Sequence, residues 1–308
     1  MPPNVHVYHE APSSLEDLLS SHMPRSLPLL RRLQFSKYRT ASSPAERFIL
    51  VADDDSYNAF TAAYIDVSGG PDTHMWLYST LEDGEAYIDG DAQNHYRPQF
   101  DLLVRASIDI AKEYGKPTFY PEGVLLGSLN TRVRRVMENM GCLSSRLSGY
   151  YDKWLFKADK LGGAEGFVLP EGMKWDSPNY SDCVTAVERT DVPRTPDVLM
   201  RLPGLVIRLD DGTPISWAFI GSDGSLVSLH CEEQYRRRGL AKALATKLIK
   251  QGTGFPSQND GWSSADVAND NLGSRAICKG LNGTVDWEVS WYISPPLLLF
   301  LCFFPTCS

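Results

Sequence analysis

The sequence predicts an α/β chain of two mixed-sheet domains in tandem, each flanked by helices, and three observations carry that expectation. In the second half, apolar β-prone runs separated by turn signals give way to alternating helix and strand. The stretch 228–245 passes from a strand through an arginine-rich turn into a helix. The first half repeats a spacing of the second: Met137 stands as far beyond Asn130 as Cys278 stands beyond Asn271.

The elements follow in order. In the first half, 48–52, 59–67 and 75–78 read as strands and 100–114 as a helix. In the second, 204–209 and 214–220 are strands flanking Asp210, Asp211, Gly212 and Thr213, a hairpin signal. Ser222, Asp223 and Gly224 turn the chain into a strand over 225–231. A helix over 240–250 sets Leu240, Leu244 and Leu248 on one face and is closed by Gly252 and Pro256. A strand near 265–267, a helix over about 271–281 and a strand over 284–292 complete the series.

At 308 residues the chain accommodates two ordinary domains, and 43% hydrophobic with 22% charged residues suits a soluble globular protein. A net charge of -8 argues against a general nucleic-acid binder. Within that acidic background Arg236, Arg237, Arg238, Lys242, Lys247 and Lys250 cluster, which suits a small polyanion. The six cysteines form no CxxC pair, and His230 and Cys231 point to opposite faces of a strand, so no metal site is expected. The first residues lack a secretory signal, and the cytoplasm is the expected compartment. The apolar run 297–304 falls far short of the ~20 residues of a spanning helix, so no membrane span is expected. Gly261, Trp262, Ser263, Ser264 and Ala265 mimic a nucleophile elbow, but they lead into a strand instead of a helix.

The turn between Cys231 and Leu240 holds three arginines and Gly239. Such a turn aims free backbone N–H groups and the positive helix end at one point, an anion site suited to phosphate. Gly239 permits a close backbone approach that a Cβ would obstruct. Neither GxxxxGK(S/T) nor GxGxxG occurs, so a nucleotide P-loop and a dinucleotide fold are not indicated.

Arg236-x-x-Gly239-x-Ala241 resembles the (Q/R)xxGx(G/A) signature of the GNAT superfamily of acyl-CoA-dependent N-acyltransferases. Asn271, Ser274, Ile277, Cys278 and Leu281 are similar to that family's N-x-x-A-x-x-L-Y-x-x-x-G-F element, and 130–142 fits the same spacing. Glu16-Asp-Leu-Leu, Leu27-Pro-Leu-Leu and 212–219 resemble the tandem glycine N-acyltransferase-like branch. The resemblance implies two GNAT-like domains: a degenerate copy over 1–160 and an acyl-CoA-binding copy over 161–293. An apolar tail of no assigned role follows over 294–308. The first copy is read as degenerate because 86–95 lacks Arg-x-x-Gly-x-Ala and places Asp89 and Asp91 where a pyrophosphate would sit.

Acetyl-CoA or another acyl-CoA is then the implied co-substrate, and a small-molecule amine or amino acid the implied acceptor. The resemblance implies that the strand end at Leu229, His230 and Cys231 receives the pantetheine arm. Backbone groups of Leu229 and Cys231 pair with it like an added strand, and the Cys231 N–H donates to the thioester oxygen. Backbone N–H groups of Arg237, Arg238, Gly239, Leu240 and Ala241 hold the pyrophosphate. Arg236 and Lys242 add positive charge, and the helix that starts at Asn271 lies beside the pantetheine. Asn271 reads equally as a helix cap. Glu232, with Glu233 beside it, is the expected acceptor of the amine proton. Cys278 stands where the family has a tyrosine and is the expected donor to the departing thiolate. A solvated glutamate and a buried structural cysteine are the plainer readings of the two. His230 alternates away from Leu229 and Cys231 and is expected in the core or at the surface. Ser225 stands where the glycine-acyltransferase branch carries an acid, which leaves the acceptor open. The alternative function is a non-catalytic acyl-CoA-binding or protein-interaction module of the same fold.

Overall fold

The computed structural model describes residues 2–38, 43–84, 90–162, 166–250 and 260–295. The chain forms two compact units, the first being Met1–Tyr150 with Glu288–Ser308 and the second Tyr151–Trp287. The first half carries β1 (Asn4–Tyr8), α1 (Ser13–Ser20), α2 (Leu27–Tyr38), β2 (Glu46–Ala52), β3 (Phe60–Asp66) and β4 (Met75–Ser79). A 3₁₀ turn at Thr80–Asp83, α3 (Gly90–Tyr114), β5 (Val124–Asn130), α4 (Thr131–Asn139) and β6 (Ser145–Arg146) follow. The second half carries β7 (Tyr151–Lys157), β8 (Met173–Asp176), α5 (Tyr180–Glu188), α6 (Pro196–Met200), β9 (Gly204–Leu209), β10 (Pro214–Ile220) and β11 (Leu226–Cys231). After a 3₁₀ turn at Glu233–Tyr235 come α7 (Leu240–Lys250), β12 (Trp262–Ala268), α8 (Leu272–Gly280) and β13 (Thr284–Ser294). No helix among the described residues is long and apolar enough to cross a membrane.

In the first unit β1, β2, β3, β4 and β5 lie side by side, antiparallel except for the parallel β4–β5 pair. β2 and β3 are buried along their whole length, as central strands covered on both faces are. Alternation divides their side chains. Phe48, Leu50, Ala62 and Tyr64 pack with Leu15, Leu19, Leu30 and Leu33 of α1 and α2. Ile49, Val51, Ala63 and Ile65 pack with Phe100, Leu103, Val133 and Val136 of α3 and α4. The edge of β5 is taken by β13, which runs antiparallel to it from Val289↔Asn130 to Ser294↔Val124.

In the second unit β8, β9, β10 and β11 form an antiparallel sheet with β11 at one edge. Cys183 and Ala186 of α5 and Leu199 of α6 pack on Val206, Trp217 and Phe219. Asn179 and Asp182 form a reciprocal capping box that starts α5. Asp182 is also paired through both carboxylate oxygens with Arg208 of β9, which locks helix to sheet. α7 spans the expected residues and packs against β10 and β11. β7 pairs antiparallel with β12 from Lys157↔Trp262 to Tyr151↔Ala268. The fully buried Lys153 meets Asp266 directly across that ladder at 2.7 Å. Residues 251–259 and 296–308, which hold the expected closure of α7 and most of the apolar tail, lie outside the described residues.

Candidate functional site

All expected site residues lie in the second unit, along β11, the turn after it, the start of α7, the cap of α8 and, for Cys278, its last turn. β11 carries a β-bulge: Trp217 faces His230 and Phe219 faces Val227, so Ser228 and Leu229 share the space opposite Ala218. Ser228 takes a positive φ of 51° there. On its other edge β11 meets β12 through an isolated parallel bridge at Ser225↔Ser264, and no ladder continues along it among the described residues. The Ser225 hydroxyl donates to Asp223 Oδ1 at 2.6 Å at this far end of the strand.

The backbone at the near end has a definite orientation. Glu232 N–H donates to Ile215 O, and His230 O accepts from the Ser216 hydroxyl, so both groups face β10. Because each peptide is trans and planar, the N–H and C=O of Cys231 face the outer edge. Arg236 Nε donates to the Cys231 carbonyl at 2.9 Å, which leaves the Cys231 N–H as the donor on that edge.

The turn after β11 is open and cationic. Arg236, Arg237, Arg238 and Gly239 are exposed, and Arg237 and Gly239 are both left-handed, with φ of 63° and 79°. A left-handed residue directs successive N–H groups into a concave nest. The N–H groups of Leu240, Ala241 and Lys242 have no acceptor within α7, because the first turn of a helix never does. Arg238 folds over the turn, donating to Gln234 O at 3.3 Å.

At α8, Asn271 caps the helix, its side chain accepting from Ser274 N–H. Cys278 is buried, and burial pushes its thiol up to about 12. A thiol of that kind releases a proton reluctantly, which weighs against the expected role of donor.

The face of β11 toward α5 carries an arrangement the sequence did not suggest. His230 stacks on its cross-strand partner Trp217. His230 Nε2 stands 3.7 Å from Glu232 Oε2, while Glu232 Oε1 accepts from Arg189 Nε at 3.1 Å. Arg189 is the C-cap residue of α5. Burial, the largest influence, lowers the His230 pKa below its usual value. The hairpin register predicts the Trp217–His230 pairing once the bulge is known, but no sequence signal points to Arg189. Among the described residues no three His, Cys, Asp or Glu side chains are grouped to hold a metal ion.

In the first unit a 3₁₀ turn likewise follows β4, and Asn130 caps α4 as Asn271 caps α8. There the Arg132 side chain donates to the Leu81 carbonyl at 2.7 Å. Residues 85–89, including Asp89, lie outside the described residues, as does the side chain of Asp91.

A sequence-family profile described as the acyl-CoA N-acyltransferase verG N-terminal domain matches residues 2–154. No curated protein matches the chain in sequence. Among solved structures, a Drosophila melanogaster protein is similar over 92% of this chain and 95% of its own, at 14% identity and a TM-score of 0.65. A GCN5-related N-acetyltransferase from Sphaerobacter thermophilus is similar over 94% of each chain, at 13% identity and a TM-score of 0.52. A tandem GNAT protein from the clavulanic acid biosynthesis pathway is similar over 95% of this chain and 99% of its own, at 10% identity and a TM-score of 0.52. At these identities the likeness is one of fold, and it extends over both halves.

Proposed function

We propose that this chain, whose residues 2–154 match an acyl-CoA N-acyltransferase family profile and whose fold is similar to that of GNAT proteins, is a member of the GNAT superfamily and transfers an acyl group from acyl-CoA to an amine. One observation carries the reading: the outward N–H of Cys231 and the free N–H groups at the start of α7 belong to one strand–turn–helix. Acyl-CoA has the matching order, a thioester carbonyl, a hydrogen-bonding pantetheine arm and a pyrophosphate. In this reading the arm lies along the outer edge of Leu229, His230 and Cys231, and the pyrophosphate is held by backbone groups over 237–242. Arg236 fixes the strand end through the Cys231 carbonyl, and the exposed Arg237 and Arg238 attract the phosphates. Asn271 serves by starting α8.

The chemistry is direct attack of a neutral amine on the thioester, with the Cys231 N–H stabilising the developing oxyanion. The amine proton leaves at the end of β11, where Glu232 stands. The departing thiolate takes its proton from water, since Cys278 is buried and weakly acidic. Acetyl-CoA is the proposed donor and a small-molecule amine or amino acid the acceptor. The first unit is proposed to bind no CoA, because its stretch 86–95 lacks Arg-x-x-Gly-x-Ala. The described cysteines are all free, which suits a reducing compartment such as the cytoplasm.

The burial of Cys278, in the position of the family's tyrosine, favours a second reading, an acyl-CoA binder without catalysis. Calorimetric titration with acetyl-CoA, followed by thiol release in the presence of pooled primary amines, separates the two. Turnover supports the transferase. Binding without turnover supports the binder, and absence of binding contradicts both. In the same assay Cys278→Ala should leave turnover per folded molecule nearly unchanged, whereas a large loss would restore Cys278 as the donor.

A further inference from the structure

Within the acyl-transfer reading above, we propose that His230 accepts the amine proton, with Glu232 as its positioning residue and Arg189 holding Glu232. The geometry is that of an oriented base. Trp217 fixes the imidazole plane by stacking, with ring centroids 4.6 Å apart and planes 17° from parallel. His230 Nε2 is buried and has no hydrogen-bond partner, and Glu232 Oε2 stands 3.7 Å from it. A tautomer with its proton on Nε2, drawn toward the carboxylate, leaves the lone pair on Nδ1. The other Glu232 oxygen is bound by Arg189 Nε at 3.1 Å, so the carboxylate is held between a cation and the imidazole. His230 also directly precedes Cys231, whose outward N–H marks the thioester carbonyl. Base and oxyanion donor are therefore neighbours in the chain.

Imidazole suits the task better than a carboxylate. An α-amine loses its proton near pH ~8, and ordinary imidazole at ~6.5 lies closer to it than an ordinary glutamate at ~4.3, a margin that the burial of His230 narrows. Burial keeps His230 neutral at pH 7 and ready to accept. The charged groups that act on it are Glu232 from its own strand end, Arg236 from the turn and Arg189 from α5. Trp217 and Ser216, from β10, carry no charge.

The step balances without a further reactant. The amine nitrogen forms a bond to the thioester carbon, and the carbonyl π pair moves onto oxygen. His230 Nδ1 takes one proton from the cationic nitrogen. The tetrahedral adduct collapses, the C–S bond breaks, and its electron pair leaves with sulfur. Imidazolium returns the proton through water to the thiolate, giving amide and free CoA.

The test is the pH dependence of kcat/KM for thiol release, with an amine found in the pooled screen, for wild type, H230Q and E232Q. Acetyl-CoA affinity is measured by calorimetry on each. The wild type should lose activity on the acid side below the ordinary histidine value. H230Q should lose that limb and about 10²-fold or more of the rate, with acetyl-CoA affinity within about twofold. E232Q should keep the limb and move it to lower pH, because the carboxylate no longer favours imidazolium. Where H230Q melts early, the E232Q shift decides, since it requires the histidine in a folded protein. H230Q with wild-type rate and limb, or E232Q with an unmoved limb, would overturn the assignment and leave acyl transfer standing. A wild type that binds acetyl-CoA but releases no thiol with any amine would overturn both.

Discussion

His230 lies flat against Trp217 across the β10–β11 ladder, next to the bulge at Ser228. The bulge turns the strand end, and Trp217, 1% exposed, packs among Cys183, Ala186 and Leu199 and holds the ring in place. Trp217→Ala should cost about 3–5 kcal/mol in denaturant unfolding, as large buried aromatics do. Trp217→Phe should cost less and, by admitting water, move the His230 titration upward toward the ordinary value. An NMR titration of the imidazole protons checks the direction.

Gly239 has a positive φ of 79°, and a Cβ there would meet Phe167 at 3.3 Å. Gly239→Val should therefore cost about 1–2 kcal/mol of stability through the left-handed backbone. It should also weaken acetyl-CoA binding at least tenfold by moving the N–H groups of the turn. Calorimetry paired with thermal melting separates the two effects.

Lys153 is wholly buried and paired with Asp266 across the β7–β12 ladder. Lys153→Met should destabilise the second unit by about 3–5 kcal/mol, because it removes the buried partner of an ion pair. Replacing both by apolar residues should recover most of that loss. By the same ladder, a fragment beginning at residue 161 lacks β7 and should fail to fold. Circular dichroism and denaturant titration report both outcomes.

Glu82 in the first unit caps the 3₁₀ turn after β4, accepting from Ser79 N–H, and burial pushes its carboxyl up to about 8. In the unfolded chain the same group ionises near ~4.3. Between those values the folded state keeps a proton that the unfolded state has released, so this group's contribution to stability falls as pH rises. Urea midpoints across that window should decline for the wild type and flatten for Glu82→Gln, which retains the capping oxygen.

The legible parts of the fold were those with local punctuation. α7 could be read because Leu240, Leu244 and Leu248 share one face, and all three are buried. β9 and β10 could be read because Asp210, Asp211 and Gly212 mark their hairpin. α2 was missed because it is buried on every side from Leu27 to Ser36 and so carries no amphipathic period. The places of β7 beside β12 and of β13 beside β5 were illegible, since strand partners far apart in sequence leave no local trace. At the site, the turn and the Asn271 cap were visible as motifs. The Arg189–Glu232–His230 contacts were not, because they depend on where an ordinary arginine at the end of α5 comes to rest.

Backbone amide hydrogen exchange, with and without acetyl-CoA, tests the central claim most directly and needs no substitution. The account predicts slowed exchange at Cys231 and across 237–242, where N–H groups without protein acceptors gain ligand ones. The segment after β4 in the first unit should exchange as before. Exchange unchanged over 231–242 in the presence of saturating acetyl-CoA, or protection confined to the first unit, would contradict it.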